Sequence, residues 1–269
     1  MDIPVIQRHF ARIGARVQVR PQGAGRTRVG SGLVTLDVAH DRHGEIFDLR
    51  VTPGATPRIE VLQAEPKQRH LLLLTQAEAS AEKNKFLCGH DERHWFVAAV
   101  PGRSAATVRS AMEALKPPDV VALQAREGLS GAQRNRRKNA AFRRQGEWFF
   151  VPALWLRVHP ALVLRDEPLA RTGGKAHWLE FAYRSGGETV YVCDRHPNGL
   201  TEHEYKALIS RNPDAAKRLW RTWRRNAAVY ARGRVSHPDH ATIVLHDWHQ
   251  ILMNRENEAP AMRHVAFLD

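Results

Sequence analysis

The sequence predicts an α+β fold of short antiparallel strands and hairpins with a few helices. Short apolar runs separated by turn residues dominate the first hundred positions, which is typical of strands. Signals for helix starts and ends appear from Thr107 onward. A chain of 269 residues can bury a sizeable core and is compatible with one large domain or two small ones.

The first half of the chain contains one clear hairpin signal and one clear helix signal. Residues 33–52 read as a hairpin that turns at Asp41–Gly44, and further strands are predicted over 58–74, 84–90 and 93–100. Over 107–118, apolar residues recur at helical spacing and Pro117–Pro118 ends the pattern. Residues 130–145 are basic and permissive for a helix.

The second half mixes both element types. Residues 147–152 are strand-like, and 177–193 reads as a hairpin turning at 185–187. Thr201 and Glu204 form a capping box that begins a helix. A further amphipathic helix is predicted over 214–230, opened by Pro213, with Trp220 and Trp223 as core anchors.

A short pattern occurs twice and raises the hypothesis of an internal duplication. RKNAAFRRQG at 137–146 aligns without gaps with RRNAAVYARG at 224–233, and each follows a predicted hairpin that ends in cysteine. Two related α+β halves would follow from a true duplication. We therefore divide the chain into a β-rich segment over 1–66, a first half over 67–165 and a second half over 166–269, which can form one compact unit.

The positive charge of the chain is localised. Lys and Arg total 41 against 28 acidic residues, and the net charge is +13. Two segments that contain no acid carry an excess equal to that net charge: Arg134, Arg136, Arg137, Lys138, Arg143 and Arg144 in the first, and Lys217, Arg218, Arg221, Arg224, Arg225, Arg232 and Arg234 in the second. A localised excess is typical of a surface that binds a polyanion, although a codon bias toward arginine is an alternative explanation.

A dense ionisable cluster lies in KFLCGHDERHWFVAAV at 85–100. Hydrolysis of a phosphodiester without metal needs a general base, a general acid and a cation, and His90, Glu92, Arg93 and His94 supply these residue types. On a regular strand these side chains would not all face one way, so the catalytic interpretation requires a turn, which Gly89 makes plausible. The alternative is a solvent-exposed polar tip between two strands.

No cofactor is predicted, and zinc or another divalent metal is the weaker alternative. Cys88 with His90, and Cys193 with His196, have ligand types that zinc accepts, at spacings less diagnostic than paired CxxC motifs. In HPDHATIVLHDWH, His237, His240 and Asp247 could also bind a metal. A polar turn followed by a strand also accounts for these residues, and we favour that interpretation.

The sequence also argues against some classes of protein. The longest apolar run is nine residues at 148–156, far below the roughly 20 residues of a membrane span. The N-terminal residues lack a secretory signal pattern, and two cysteines do not make a disulfide scaffold. We expect a cytoplasmic protein without a membrane partner.

The predicted function is binding of nucleic acid, RNA or DNA, through the two basic segments. As an extension, the 88–94 cluster predicts a nuclease or another nucleic-acid-processing enzyme, and the sequence leaves open whether the protein is an enzyme at all. Two alternatives belong to other classes: an accessory protein that docks an acidic protein partner, and a small-ligand enzyme whose basic surface is incidental.

Overall fold

The computed structural model describes residues 2–22, 33–77, 83–102, 104–170 and 175–262. It has the mixed α+β architecture with small, largely antiparallel sheets that the sequence predicts. Within the described residues there are two compact units, unit 1 over 2–147 with 253–262 and unit 2 over 148–252. The division between these units falls after Glu147. The segment boundaries at 66 and 165 stay a prediction.

Unit 1 combines helices with two sheets. Its helices are α1 (Ile3–Arg12), α2 (Val108–Ala114), α3 (Pro118–Arg126) and α4 (Gly131–Arg134). Its strands are β1 (Val17–Pro21), β2 (Val34–Asp41), β3 (Gly44–Val51), β4 (Arg58–Glu65), β5 (His70–Gln76), β6 (Lys83–Asp91), β7 (His94–Ala99) and β8 (Arg143–Gln145). One sheet has the order β1-β3-β2, with β1 parallel to β3, and the other is the antiparallel meander β4-β5-β6-β7. The hairpin predicted at Asp41–Gly44 and the predicted strands and α2 are confirmed.

Both faces of the four-stranded sheet are buried, which explains the run of four leucines in β5. Leu71 and Leu73 pack into one core with Phe10 of α1 and the first sheet. Leu72 points the other way, into a second core with Val108 of α2. Because side chains alternate across a strand, a strand covered on both sides reads as a continuous apolar run.

Gly89 lies within β6 and not at a turn. It pairs with His70 of β5 on one side and with Phe96 of β7 on the other. The His70 side chain is buried and its Nδ1–H donates to the Gln68 carbonyl oxygen at 2.5 Å. Burial lowers the pKa of His70 despite this bond. The absence of a side chain at position 89 is what gives the His70 ring its space.

Unit 2 also contains two sheets. Its strands are β9 (Trp148–Pro152), β10 (Leu164–Leu169), β11 (His177–Ser185), β12 (Glu188–Cys193), β13 (His196–Thr201), β14 (Arg221–Arg225), β15 (Ala228–His237) and β16 (His240–Met253). Helix α5 (Glu202–Arg211) begins at the predicted capping box, and its Thr201 cap is confirmed. The strand orders are β10-β11-β15-β16-β9 and β13-β12-β14. No helix in the described part of the chain is long and apolar enough to cross a membrane.

Two predicted elements of unit 2 are wrong. Residues 177–193 do not form a hairpin, because β11 pairs with β10 and β15 while β12 pairs with β13 and β14. The helix over 214–230 is absent: a 3₁₀ turn over Pro213–Lys217 is followed by β14 and β15. Three consecutive residues, 229–231, are buried, which a central strand covered on both faces achieves and an amphipathic helix does not.

The internal duplication is not confirmed. Only the first of the two predicted hairpins exists, and the two NAA segments differ in backbone conformation. The Asn139 side chain accepts hydrogen bonds from the backbone N–H groups of Ala141 and Phe142, whereas Asn226 adopts a left-handed conformation with φ of 58° between two strands. The region 130–145 is helical only over the short α4.

Substitution of Gly89 tests the packing of the four-stranded sheet. A Cβ at this position would lie 2.6 Å from Cδ2 of His70 and 2.8 Å from Cε1 of Phe96. We expect Gly89→Ala to lower the free energy of unfolding by about 1–3 kcal/mol through overpacking. Urea denaturation measures this difference.

The matched control is Gly131→Ala. Gly131 begins α4, and a Cβ there would meet only the Arg109 guanidinium at 3.7 Å. This variant is expected to be neutral or more stable by about 0.5–1 kcal/mol. Equal losses of stability in both variants would contradict the packing argument.

Candidate functional site

The ionisable cluster at 88–94 forms the end of the β6–β7 hairpin. Asp91 pairs with His94, which leaves Glu92 and Arg93 as a two-residue turn. Glu92 has a positive φ of 34°, a conformation that non-glycine residues adopt rarely. The candidate catalytic residues therefore sit on both strands and on the turn between them, with Arg93 exposed.

His94 is held by a carboxylate that the sequence analysis did not select. Its Nδ1–H donates to Oε1 of Glu45 at 2.8 Å, and the second carboxylate oxygen accepts the Trp95 backbone N–H at 2.9 Å. The Glu45 side chain is 13% exposed and the His94 side chain 44% exposed. A carboxylate that fixes one ring nitrogen of a solvent-accessible imidazole orients the ring for proton transfer. Glu45 lies on β3, far away in sequence, so no local motif could identify it.

His90 lies on the Trp95 side of the hairpin. The two rings make an edge contact at 4.9 Å between centroids, and the Arg69 guanidinium lies 4.6 Å from the Trp95 ring centroid. Burial and the Arg69 charge lower the pKa of His90. At neutral pH this ring is therefore uncharged, as a proton acceptor requires.

The two acidic residues of the cluster are engaged by a predicted phosphate-binding arginine. Arg137 forms ion pairs with both Asp91 and Glu92, and Arg144 lies 3.6 Å from Asp91. These contacts tie the 137–144 segment to the hairpin end. Arg137 thus has a structural partner within unit 1, and Glu92 is charge-compensated.

The cysteine and histidine pairs occupy separate environments. Cys88 is buried in the apolar core of unit 1, and this burial raises the pKa of its thiol. Cys193 is buried in unit 2 and pairs across strands with His196, whose ring stacks on Trp220 and lies 3.4 Å from the Arg218 guanidinium. In the described part of the chain, neither pair belongs to a cluster of three ligand side chains.

A different set of histidines is brought together in unit 2. His237 ends β15 and pairs with His240 at the start of β16. Trp178 of β11 pairs with Ser236, so the same register places His177 opposite His237. Three imidazoles therefore lie in a row across three neighbouring strands, on one face. Burial, followed by the charges of His237 and His240, lowers the pKa of His177 to about 3.

The basic residues of the two predicted segments differ in their surroundings. Several have acidic partners in the described structure: Arg134 with Glu113, Lys217 with Asp214, Arg225 with Glu188, and Arg234 with Glu180. Arg232 lies over the Phe181 and Trp248 rings, and Arg143 is half-buried. Arg136, Lys138 and Arg221 are exposed, and no described carboxylate lies within 4.0 Å of them. The basic residues of the two segments therefore fall into two groups, those with an acidic partner and those without one among the described residues. The sequence alone does not distinguish these groups.

Strand β14 presents cations and an aromatic ring together. It lies at the edge of its sheet, and residues 221–224 are all exposed. Because side chains alternate, Arg221, Trp223 and Arg225 share one face. Trp223 is 39% exposed, so it is not the core anchor that the sequence predicted.

A cleft of about 440 Å³ adjoins this strand, and two guanidinium groups line it. Arg184 lies near the end of β11, is half-buried and has the Glu167 carboxylate 4.0 Å away, and Arg224 belongs to β14. Tyr183, Ser185 and Gly186 complete this part of the wall. Arg224 also donates to the Gly186 carbonyl oxygen at 3.1 Å, which holds its guanidinium at the rim. Sequence reasoning missed Arg184 and Tyr183, because they lie outside both basic segments and reach the cleft only through strand pairing.

The loop between β11 and β12 requires glycine at the cleft. Gly187 has a φ of 79°, and a Cβ there would lie 2.9 Å from the backbone nitrogen of Ala227 and from the carbonyl oxygen of Arg225. This close approach lets one chain pass from the large sheet to the small sheet within two residues. The cleft forms at that crossing.

Comparisons with known proteins give no assignment. No family model matches the chain, and neither a curated protein nor a solved structure is similar to it. The site must therefore be interpreted from its own geometry.

The ion pairs of Arg137 predict a structural effect that its sequence neighbour does not share. We expect Arg137→Ala to lower the free energy of unfolding by about 2 kcal/mol, because it removes the shared cation of two partly buried carboxylates and leaves Asp91 with only the more distant Arg144. Arg136→Ala removes an exposed charge and should change stability by less than about 0.5 kcal/mol. Chemical denaturation of both variants checks this, and equal effects would be inconsistent with the ion-pair assignment.

Proposed function

We propose that the protein binds single-stranded nucleic acid through unit 2. The observation that supports this most strongly is that the Arg184 and Arg224 side chains line the same cleft, beside the exposed strand β14. Guanidinium groups bind phosphate oxygens in bidentate geometry, and an exposed aromatic ring offers a stacking surface for a base. On β14, Arg221 and Trp223 offer the two kinds of contact on one face, and Arg224 reaches the cleft from the opposite face.

The single-stranded form is favoured by the combination of aromatic and cationic groups. A duplex hides its base faces within the stack, so a ring such as Trp223 contributes little to binding its backbone. A single strand exposes both phosphates and bases. Phosphates and base faces are common to RNA and DNA, so the proposal covers both.

An acidic protein partner is the alternative to nucleic acid. It would bind the same arginines but would not need the Trp223 ring. A carboxylate chain would bind Arg184 and Arg224 through charge alone. The contribution of Trp223 therefore distinguishes a nucleic acid from an acidic peptide.

Affinity for a labelled oligonucleotide across a salt series tests the proposal. We expect log K to fall linearly with log salt, and the double substitution Arg184→Ala with Arg224→Ala to weaken binding at least about tenfold while reducing the slope by about 1.4. Trp223→Ala should weaken single-strand binding by about 1–3 kcal/mol and duplex binding less. Fluorescence anisotropy with oligo-U, oligo-dT and duplex DNA measures both.

The control for net charge is the double substitution Arg58→Ala with Arg126→Ala, two exposed arginines of unit 1. It removes the same charge and should leave affinity nearly unchanged. Equal weakening by both double variants would reject the cleft as the binding site. Polyglutamate binding as tightly as the oligonucleotide, without dependence on Trp223, would favour the acidic partner.

A second candidate function is cleavage of the phosphodiester backbone, and the Glu45–His94 pair favours it. An imidazole held by a carboxylate can accept the proton of an attacking water, and Arg93 in the adjoining turn offers a cation. This function is a proposal about unit 1 and is independent of the cleft.

Cleavage is tested by incubating the protein with RNA, single-stranded DNA and duplex DNA, with and without a divalent metal, and resolving the products on gels. We expect His94→Ala to abolish cleavage while leaving affinity intact, and Glu45→Gln to lower the rate by about 10²-fold or more. His43→Ala, an exposed histidine on the neighbouring β2–β3 turn, is the control. Products that persist in His94→Ala would remove this residue from the reaction.

A further inference from the structure

We propose that His177, His237 and His240 form a binding site for a divalent transition-metal ion, with Zn²⁺ as the expected ion. The candidate ligand atoms of the three side chains all lie within 4.8 Å of one another. Imidazole nitrogens are common ligands of Zn²⁺, and three of them with one open position make a frequent coordination set.

The three rings lie close together and are stacked, with interplanar angles of 29° for His177 and His237, 29° for His237 and His240, and 24° for His177 and His240. Ring centroids are 4.2 Å apart for His177 and His237, 4.7 Å for His237 and His240, and 5.8 Å for His177 and His240. Nitrogens that share a tetrahedral ion at about 2.0–2.1 Å from the metal are closer together than 4.8 Å, so modest rotation of the side chains completes the site. The strand register brings the backbones together, so rotation alone is required.

The strongest argument is an unsatisfied buried side chain. His177 is 2% exposed, yet neither of its ring nitrogens has a hydrogen-bond partner in the described structure. A buried polar group without a hydrogen-bond partner destabilises the folded state. A metal ion bound to one of these nitrogens would satisfy it.

His237 has the outer contact that metal-binding histidines commonly show. Its Nε2 lies 3.3 Å from the Lys175 carbonyl oxygen, a partner that would hold the ring while Nδ1 binds the metal. The Asp239 backbone N–H now donates to that Nδ1 at 3.1 Å, so metal binding would displace this bond. Asp239 sits in the same turn and contacts Lys175 through its carboxylate at 2.7 Å.

The position of the site also suits an ion that enters from solvent. His237 and His240 are half-buried and flank the two-residue turn between β15 and β16, while His177 lies beneath them. The site is therefore reachable from the surface but has a buried inner ligand. The sequence alternative that grouped His237 and His240 with Asp247 therefore has His177 in place of Asp247, because the strand register supplies it.

Titration of the full-length protein with Zn²⁺ alone, after chelator treatment and dialysis, tests the proposal. We expect one equivalent to bind by calorimetry and the unfolding midpoint to rise with added Zn²⁺. Co²⁺ in place of Zn²⁺ should give the visible absorption of a tetrahedral nitrogen site. Absence of stoichiometric binding by the wild-type protein would overturn the proposal.

Variants assign the ligands. His240 is half-buried, so the variant His240→Asn should still fold. We expect this variant to bind Zn²⁺ at least about 10-fold more weakly and to change the Co²⁺ absorption spectrum. His246→Asn removes an exposed histidine of the same strand and should leave both unchanged. Weakening by His246→Asn equal to that by His240→Asn would indicate surface binding only and would overturn the assignment. Circular dichroism of each variant verifies folding.

Discussion

The antiparallel pairing of β11 with β15 is the constraint on which unit 2 depends. At one end this register pairs Ser185 with Ala228, beside the arginine-lined cleft, and at the other it pairs Trp178 with Ser236, beside the histidine row. The two features lie at opposite ends of one strand pair, about 24 Å apart at 3.4 Å per residue. A slip of one residue would turn every side chain of β11 to the other face and would dismantle both.

Ion-pair partners determine which basic side chains are available to bind a ligand. Thirteen cations in two segments are equivalent in the sequence, but ion pairs commit some of them to the fold. Arg137 joins the hairpin end of unit 1 to the following segment, whereas Arg224 is held at a cleft rim by backbone carbonyls. The proposed nucleic-acid contacts are therefore fewer than the basic composition indicates. They also include Arg184, which lies in neither basic segment.

A buried polar side chain needs a reason beyond packing, such as a hydrogen bond or a bound ligand. His70 is buried but donates to a carbonyl oxygen, and Gly89 makes room for its ring, so its role is structural. His177 is equally buried and has no such partner in the described structure. This contrast between two buried histidines supports a ligand at the second one, since unsatisfied polar groups in native cores are uncommon.

Local sequence signals were sufficient wherever the deciding interactions are short in range. The Asp41–Gly44 hairpin, the α2 helix, the Thr201 capping box and the strands of the four-stranded sheet follow from turn residues, caps and apolar period, which act within a few positions. The same local patterns predict the α+β class, and the cluster of ionisable residues at 88–94 is visible directly in the sequence.

Tertiary structure decided what depends on pairing between distant segments. Residues 214–230 have a helical apolar period, but β12 and β11 recruit them as strands, because hydrogen bonding and burial in a sheet outweigh helix propensity. The same long-range pairing supplies Glu45 to His94, Arg184 to Arg224 and His177 to His237. The residue types of each candidate site were present in the sequence, but their partners come from other strands, and strand register is not encoded in any local pattern.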